Sequence, residues 1–250
     1  MESALRTNPS GRPTRQPFDP ARVRGTIFQA FLDARAEFGG KTPALVDVDG
    51  RVLSYNDLAR ASFALGHALK RGTAREEKIG VLLPTGAGAA IAFLALSAFG
   101  RVPTMLNFTS GPADLQSAIR TAQVRRVVTA RRFIELGKLD AIAAAIGQVA
   151  ELIFLEDVRA KISLSDKLTA LAGGIAPALV ARAPRQDMPA AVLFTSGTEG
   201  QPKGVALSHA NIVSNIAQVR AHIDLYDDDV LFNPLPALHC FGLTVGLLLP

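Results

Sequence analysis

The sequence holds a single cysteine, Cys240, among 250 residues, so no disulfide can close within it and no thiolate zinc site can be assembled. A reducing, cytoplasmic setting is the natural expectation. The four histidines, His67, His209, His222 and His239, show no metal-ligand spacing. Residues 1–25 lack the apolar core of an export signal. They carry Pro9, Pro13, Pro17 and Pro20 among Arg6, Arg12, Arg15, Arg22 and Arg24, and read as a flexible basic leader. Neither sign of charge dominates: 27 Lys and Arg against 22 Asp and Glu leave a net +5. That excess favours anionic partners such as nucleotides, acidic proteins or anionic lipid surfaces without choosing among them. A hydrophobic fraction of 48% with 20% charged residues excludes disorder throughout.

Charge is absent altogether from Ile79 to Gly100, a run long enough for a membrane-spanning helix. Pro84, Thr85, Gly86 and Gly88 interrupt it. The run then divides into a short strand, Ile79–Leu83, a tight turn and an Ala-rich buried helix, Ala89–Ala98, which is how a doubly wound α/β unit begins. Elsewhere the apolar period keeps switching. Ile27, Phe31, Ala34 and Phe38 fall at helical spacing, and Ser54 with Asp57 predicts a capping box for a helix over 56–70. A further helix is expected from Pro112, with strands at Arg126–Thr129 and Leu152–Leu155. The Gly- and Pro-rich stretch 172–189 reads as a linker between a first α/β subdomain, 26–171, and the start of a second, 190–250.

The most informative segment follows that linker. Ala190–Phe194 is a compact apolar run, succeeded by Thr195, Ser196, Gly197, Thr198, Glu199, Gly200, Gln201, Pro202, Lys203 and Gly204. A helix capped by Ser208 should come next. Small residues let backbone N–H groups approach an anion, hydroxyls add donors that can reorient, and lysine supplies a full positive charge. These are the elements of a phosphate-handling loop. It is not a Walker loop, since Pro202 stands where that motif needs glycine and Gly204 where it needs a magnesium-binding hydroxyl.

Leu193–Gly204, LFTSGTEGQPKG, resembles the signature loop of the AMP-forming acyl and aryl ligases, the adenylate-forming enzymes. LSYNDL at 53–58, the segment 78–107 with GVLLP and PTMLN, and NPLPALHCFG at 233–242 are similar to other segments of that family. Glu199, the phrase 204–211 and LIFLEDVRAKISLSDKL at 152–168 look nearest to the acyl-[acyl-carrier-protein] synthetase half of bifunctional acylglycerophosphoethanolamine acyltransferases. The resemblance implies layered doubly wound sheets with helices on both faces, the N-terminal part of a ligase large domain. It also implies a two-step reaction. A carboxylate attacks the α-phosphorus of ATP, pyrophosphate leaves, and the acyl adenylate is captured by a thiol on CoA or an acyl carrier protein. On this reading Thr195, Ser196, Thr198 and Lys203 hold phosphate, with Thr195 and Lys203 acting on the departing pyrophosphate. Gly197 and Gly200 permit close approach, and Glu199 points away or binds through magnesium, so the cofactors are ATP and Mg. His239 matches a position at the mouth of the acyl pocket. The acid is expected to be a fatty acid. Segments that hold adenine, ribose and magnesium, and a small C-terminal domain bearing a catalytic lysine, have no counterpart before Pro250, so an N-terminal fragment is expected.

Other residues invite plainer readings. His67 is structural or solvated, His209 packs or hydrogen-bonds, and His222 ends a helix where a cation is mildly favoured. His239 and Cys240 do not form a nucleophile pair, because neighbours on a strand face opposite ways. Arg120, Arg125, Arg126, Arg131 and Arg132 have only Phe133 nearby, too little aromatic interleaving for nucleic acid, and read as a solvated edge that could still steer an acidic carrier protein. Peripheral membrane association stays open. So do a CoA ligase for a small or aromatic acid and a nucleotide-binding module without ligase activity.

Overall fold

The computed structural model describes residues 11, 15, 17–181, 184–196 and 202–250. Helix Ile27–Phe38 (α1) precedes a two-stranded antiparallel ribbon, Pro43–Val46 (β1) and Val52–Ser54 (β2), which leads into Tyr55–Lys70 (α2). Strands Lys78–Val81 (β3), Val102–Met105 (β4), Arg126–Thr129 (β5) and Glu151–Phe154 (β6) then alternate with helices Ala87–Ala98 (α3), Pro112–Thr121 (α4), Arg131–Gly137 (α5) and Asp140–Gly147 (α6). Helices Leu155–Ala160 (α7), Leu164–Ile175 (α8) and Pro177–Val180 (α9) follow. The hairpin Pro189–Ser196 (β7) and Pro202–Ser208 (β8), then His209–His222 (α10), Cys240–Leu243 (α11) and a π-helical turn at Thr244–Leu248, come next.

Six strands form one mixed sheet in the order β6-β5-β3-β4-β7-β8, parallel except for the β7–β8 pair. The expected α/β architecture with helices on both faces is present. One core, built around Ile79, Val81, Phe93, Val128 and Leu193, lies under α3 and α10; the other, around Leu82, Val127, Ile119, Ile146 and Val192, lies under α4 and α6. Alternate residues along β5 and β7 feed opposite cores, as the twofold strand period requires.

Local chemistry explains the boundaries. Ser54 accepts from Asp57 N at 3.2 Å while Asp57 accepts from Ser54 N at 3.0 Å, the reciprocal cap that opens α2. Ser208 and Asn211 do the same for α10. The charge-free run does not make a spanning helix. Gly86, at φ 148°, turns the chain between β3 and α3, and a Cβ there would crowd the Asp47 carboxylate that accepts from Ala87 N at 3.2 Å. α3 is then buried on nearly every side, which is why it carries no polar face. Among the described residues, no helix is long and apolar enough to cross a membrane.

Three expectations shift. The stretch 172–189 is not wholly a linker: α8 runs to Ile175, and α9 occupies Pro177–Val180. Nor does it separate two sheets, because Val192 of β7 pairs in parallel with Thr104 of β4, so the sheet continues across the boundary expected there. The edge strand beside β5 is Glu151–Phe154, one residue earlier than its apolar run. Leu155 opens α7 instead, where it packs beside the core. In α1 the buried face is Ile27, Phe28 and Leu32, with Phe28 edge-on to Phe63.

Candidate functional site

β4 and β7 lie side by side and parallel, but the chain leaves them in opposite directions along the sheet, toward β5 and toward β8. In open α/β sheets the crevice outside the carboxyl ends of such a pair is where ligands bind. A cleft of about 170 Å³ lies there. Met105, Asn107, Ser110 and Asp114 come to it from the end of β4 and the start of α4. Phe194, Thr195 and Pro202 come from the β7–β8 hairpin, and Leu238 with His239 from the segment before α11.

The hairpin places the charge-bearing groups. Thr195 is the register partner of Lys203, and Ser196 that of Pro202, so the ladder runs to the very edge of the loop. Residues directly opposite in an antiparallel pair project to the same face. Thr195 shares its parity with Leu193, whose face carries the core that also holds Ala237 and Leu238. One face of one hairpin end therefore offers a hydroxyl, which can donate or accept, beside an ammonium. Both residues are exposed. Gly197, Thr198, Glu199, Gly200 and Gln201 lie outside the described residues, as does the side chain of Ser196.

His239 reaches the same cleft because its segment is tied down at two points. Thr85, in the turn after β3, donates its hydroxyl to Leu235 O at 3.3 Å and accepts from Ala237 N at 2.9 Å. Asn233 accepts from Leu235 N at 3.1 Å and donates to Gly242 O at 3.4 Å. His239 occupies the N-cap position of α11 without a side-chain capping bond, and Cys240 is the first residue of that helix, so the reason for rejecting a His239–Cys240 pair changes: the two sit at a helix start, not on a strand. Cys240 is exposed.

Composition and pattern did not single out Thr85, Asn107, Ser110 or Asp114. The available signal was positional: polar residues immediately after strand ends, where an α/β crevice forms. Asp114 brings a carboxylate to the cleft. Among the described residues, no three His, Cys, Asp or Glu side chains group as a metal cage. Magnesium that arrives with phosphate needs none, since it keeps several waters and takes one or two carboxylates. The cleft's own oxygen donors for such an ion are the Asp114 carboxylate and neutral hydroxyls, while the Lys203 ammonium has no lone pair and can meet only phosphate.

The other histidines are structural. His209 is buried and its Nδ1 accepts from Ile27 N at 3.2 Å, joining α10 to α1; burial pushes its pKa down to about 4, so the ring is neutral. His67 lies 2.6 Å through Nδ1 from the buried Asp166, which also accepts from Arg71 at 2.5 and 3.1 Å and from Ser163 N at 2.8 Å. Burial alone would raise the Asp166 pKa, but the bonds from Arg71, His67 and Ser163 outweigh it and hold the carboxyl well below the usual range. His222 Nδ1 sits 2.8 Å from Gln218 O in the last turn of α10. Two members of the arginine cluster, Arg126 and Arg131, are held in ion pairs. Arg126 bridges Glu77 at 2.6 Å and Glu151 at 3.1 Å, while Arg131 makes two 2.7 Å bonds to Asp157 and lies 4.2 Å over the Phe154 ring.

The AMP-binding enzyme family model matches residues 32–250. Acyl-CoA ligase sidI of Beauveria bassiana (strain ARSEF 2860) is 29% identical over 242 residues, covering 93% of this chain and 41% of that protein. Medium-chain fatty-acid–CoA ligase of Escherichia coli (strain K12) is 30% identical over 210 residues, covering 83% and 37%. ATP-bound MatB from Rhodopseudomonas palustris superposes with a TM-score of 0.70 at 28% identity, covering 90% of this chain and 43% of that one. The chain thus spans about two-fifths of the length of these curated relatives.

Proposed function

The chain belongs to the AMP-binding enzyme family, and from that premise we propose that the protein activates a fatty acid with ATP and passes the acyl group to a thiol. The observation that carries this reading is the convergence of Thr195, paired with Lys203, and His239 on one cleft at the carboxyl ends of β4 and β7. A carboxylate is a poor acyl donor until one of its oxygens belongs to a good leaving group. Attack of that oxygen on the α-phosphorus forms the P–O bond of an acyl adenylate and breaks the bond to pyrophosphate, which carries away the electron pair. Charge grows on pyrophosphate as the bond breaks. Fixed donors aimed at that charge lower the barrier more than they strengthen ground-state binding. Thr195 and Lys203 take this role, with the loop residues Ser196, Gly197, Thr198, Glu199 and Gly200 completing the cradle. Asp114 would meet magnesium on the phosphates, and the ion would neutralise part of the developing charge.

His239 stands across the cleft from the hairpin and borders the acid. Medium-chain and other acyl-CoA ligases among the relatives favour CoA as the acceptor. A carrier protein is the second acceptor within this reading, supported by the likeness of segment 152–168 to the acyl-carrier-protein synthetases. The reading is tested by acid-dependent exchange of labelled pyrophosphate into ATP with the full-length protein, across straight-chain fatty acids and small or aromatic acids. Exchange with fatty acids is the expected result. Exchange confined to aromatic acids would reassign the substrate, and none with any acid would leave a nucleotide-binding module.

A further inference from the structure

α8 carries its large apolar residues on the side opposite to the protein. Asp166, Ala170 and Gly173 are buried against α2, and Gly173 allows close packing because a Cβ there would overlap the Phe63 ring. Leu164, Leu168, Leu171 and Ile175 are 72%, 57%, 56% and 78% exposed, and Leu179 of α9 is 88% exposed. At roughly 100° per residue the two sets lie about 180° apart on the helix. Small residues and polar anchors fasten α8: Ala170 and Gly173 pack on the Phe63 side of the core, Asp166 bonds His67, Arg71 and Ser163, and Arg35 donates to Gly174 O at 2.7 Å. Leu164, Leu171 and Ile175 lie outside that attachment, while Leu168 and Leu179 stand at the rim of a groove they share with His67, Lys70 and Phe99. An apolar stripe of this kind marks a surface that meets something else.

We propose that α8 and α9 form a peripheral docking surface for an anionic lipid membrane, with the Leu164–Leu168–Leu171–Ile175–Leu179 stripe in the headgroup–acyl boundary. Charge selects this occupant. From Lys167 to Gln186 the sequence has no Asp or Glu, while Lys167, Arg182 and Arg185 are basic. The acid within α8, Asp166, is buried and neutralised by Arg71. Lys161 and Lys167, both exposed, flank the N-terminal end of the stripe, where lysine stems can lie along the apolar boundary with their ammonium groups among headgroup phosphates. Arg185 is engaged by Asp187 at 2.6 Å, and the exposed Glu156 stands one helix earlier. An apolar stripe with a basic margin is the pattern of a helix that lies in the interface plane. A second copy fits less well. Five such side chains offer on the order of 100 Å² each, short of the ~800 Å² per partner of a stable interface.

The test is co-sedimentation of the full-length protein with vesicles of phosphatidylcholine alone and of phosphatidylcholine with phosphatidylglycerol. Binding is expected to the anionic vesicles and to fall as salt rises. Leu171→Ser with Ile175→Ser should weaken it at least tenfold with the unfolding transition unchanged, because both side chains are exposed. Lys161→Glu with Lys167→Glu should remove the preference for phosphatidylglycerol. Equal partition of wild type and Leu171→Ser/Ile175→Ser overturns the proposal. So does a concentration-dependent dimer that the serine pair abolishes without any vesicle binding. Failure of wild type to bind anionic vesicles, as when another part of the full-length chain covers α8, also overturns it. None of these readouts depends on ligase activity, so they stand or fall separately from the proposed reaction.

Discussion

Thr195 and Lys203 face each other across the antiparallel ladder of β7 and β8. The pairing sets a hydroxyl and an ammonium on one face at the open end of a hairpin whose other residues are locked into the sheet. β7 is held on its far side by β4, and Ala190, Ala191, Val192 and Leu193 are all buried. The working end is therefore exposed and polar while its base is rigid, which is what positioning of a reacting phosphate requires.

Replacing Thr195 with Ala should lower adenylate formation by about two to three orders of magnitude, as loss of one aligned donor costs about 3–4 kcal/mol of transition-state stabilisation. Thermal unfolding should not move, because the side chain is exposed and supports no core. Single-turnover formation of acyl adenylate, beside a melting curve, checks both halves.

His239→Ala should change which acid is preferred more than it changes ATP binding. A methylene-sized change in pocket shape discriminates acids by about 1–3 kcal/mol. Thr85→Val, which removes the anchor to Leu235 and Ala237, should shift acid preference in the same direction without touching substrate itself. Acid profiles from kcat/KM ratios that match wild type in both variants would refute the placement.

Asp166→Asn should destabilise the protein by about 1–3 kcal/mol, since a buried acceptor of several charge-assisted bonds is lost. The loss should be felt first where α8 meets α2. Faster amide exchange in 164–175 than in β3 or β4 is the expected readout.

His209 makes stability depend on pH. Its folded pKa is about 4, below the unfolded value near 6.5, so between these values the unfolded chain binds the extra proton. The stabilisation is complete above about pH 6.5 and fades as pH falls toward 4. His209→Asn keeps an acceptor for Ile27 N but cannot titrate, so its unfolding free energy should be flatter across that window. Asp166 acts in a separate range: its folded pKa lies below the unfolded value near 3.9, so its contribution is complete above that value and is lost as pH falls further.

The parts of this fold legible from sequence are those fixed by local chemistry. Ser54 with Asp57 and Ser208 with Asn211 cap their helices through contacts three residues apart. Gly86 breaks the charge-free run because of one backbone conformation. What escaped depends on distant partners. Whether 190 begins a new unit or returns to the same sheet is decided by the pairing of Val192 with Thr104, which no local pattern encodes. Asp114 enters the cleft, and Thr85 anchors the segment that brings His239 there, only once β3, β4 and β7 lie in one sheet. That Asp166, Ala170 and Gly173 form the buried face of α8 is decided by their partners on α2, which the sequence does not place beside them.

The central claim is that the hairpin stabilises charge moving onto pyrophosphate. It is tested most directly by acid-dependent pyrophosphate exchange at saturating ATP in the full-length protein, comparing wild type with Lys203→Ala, alongside the Kd for ATP. The account predicts exchange that falls by about two to three orders of magnitude while the Kd for ATP changes far less. Equal exchange rates in the two proteins would contradict it.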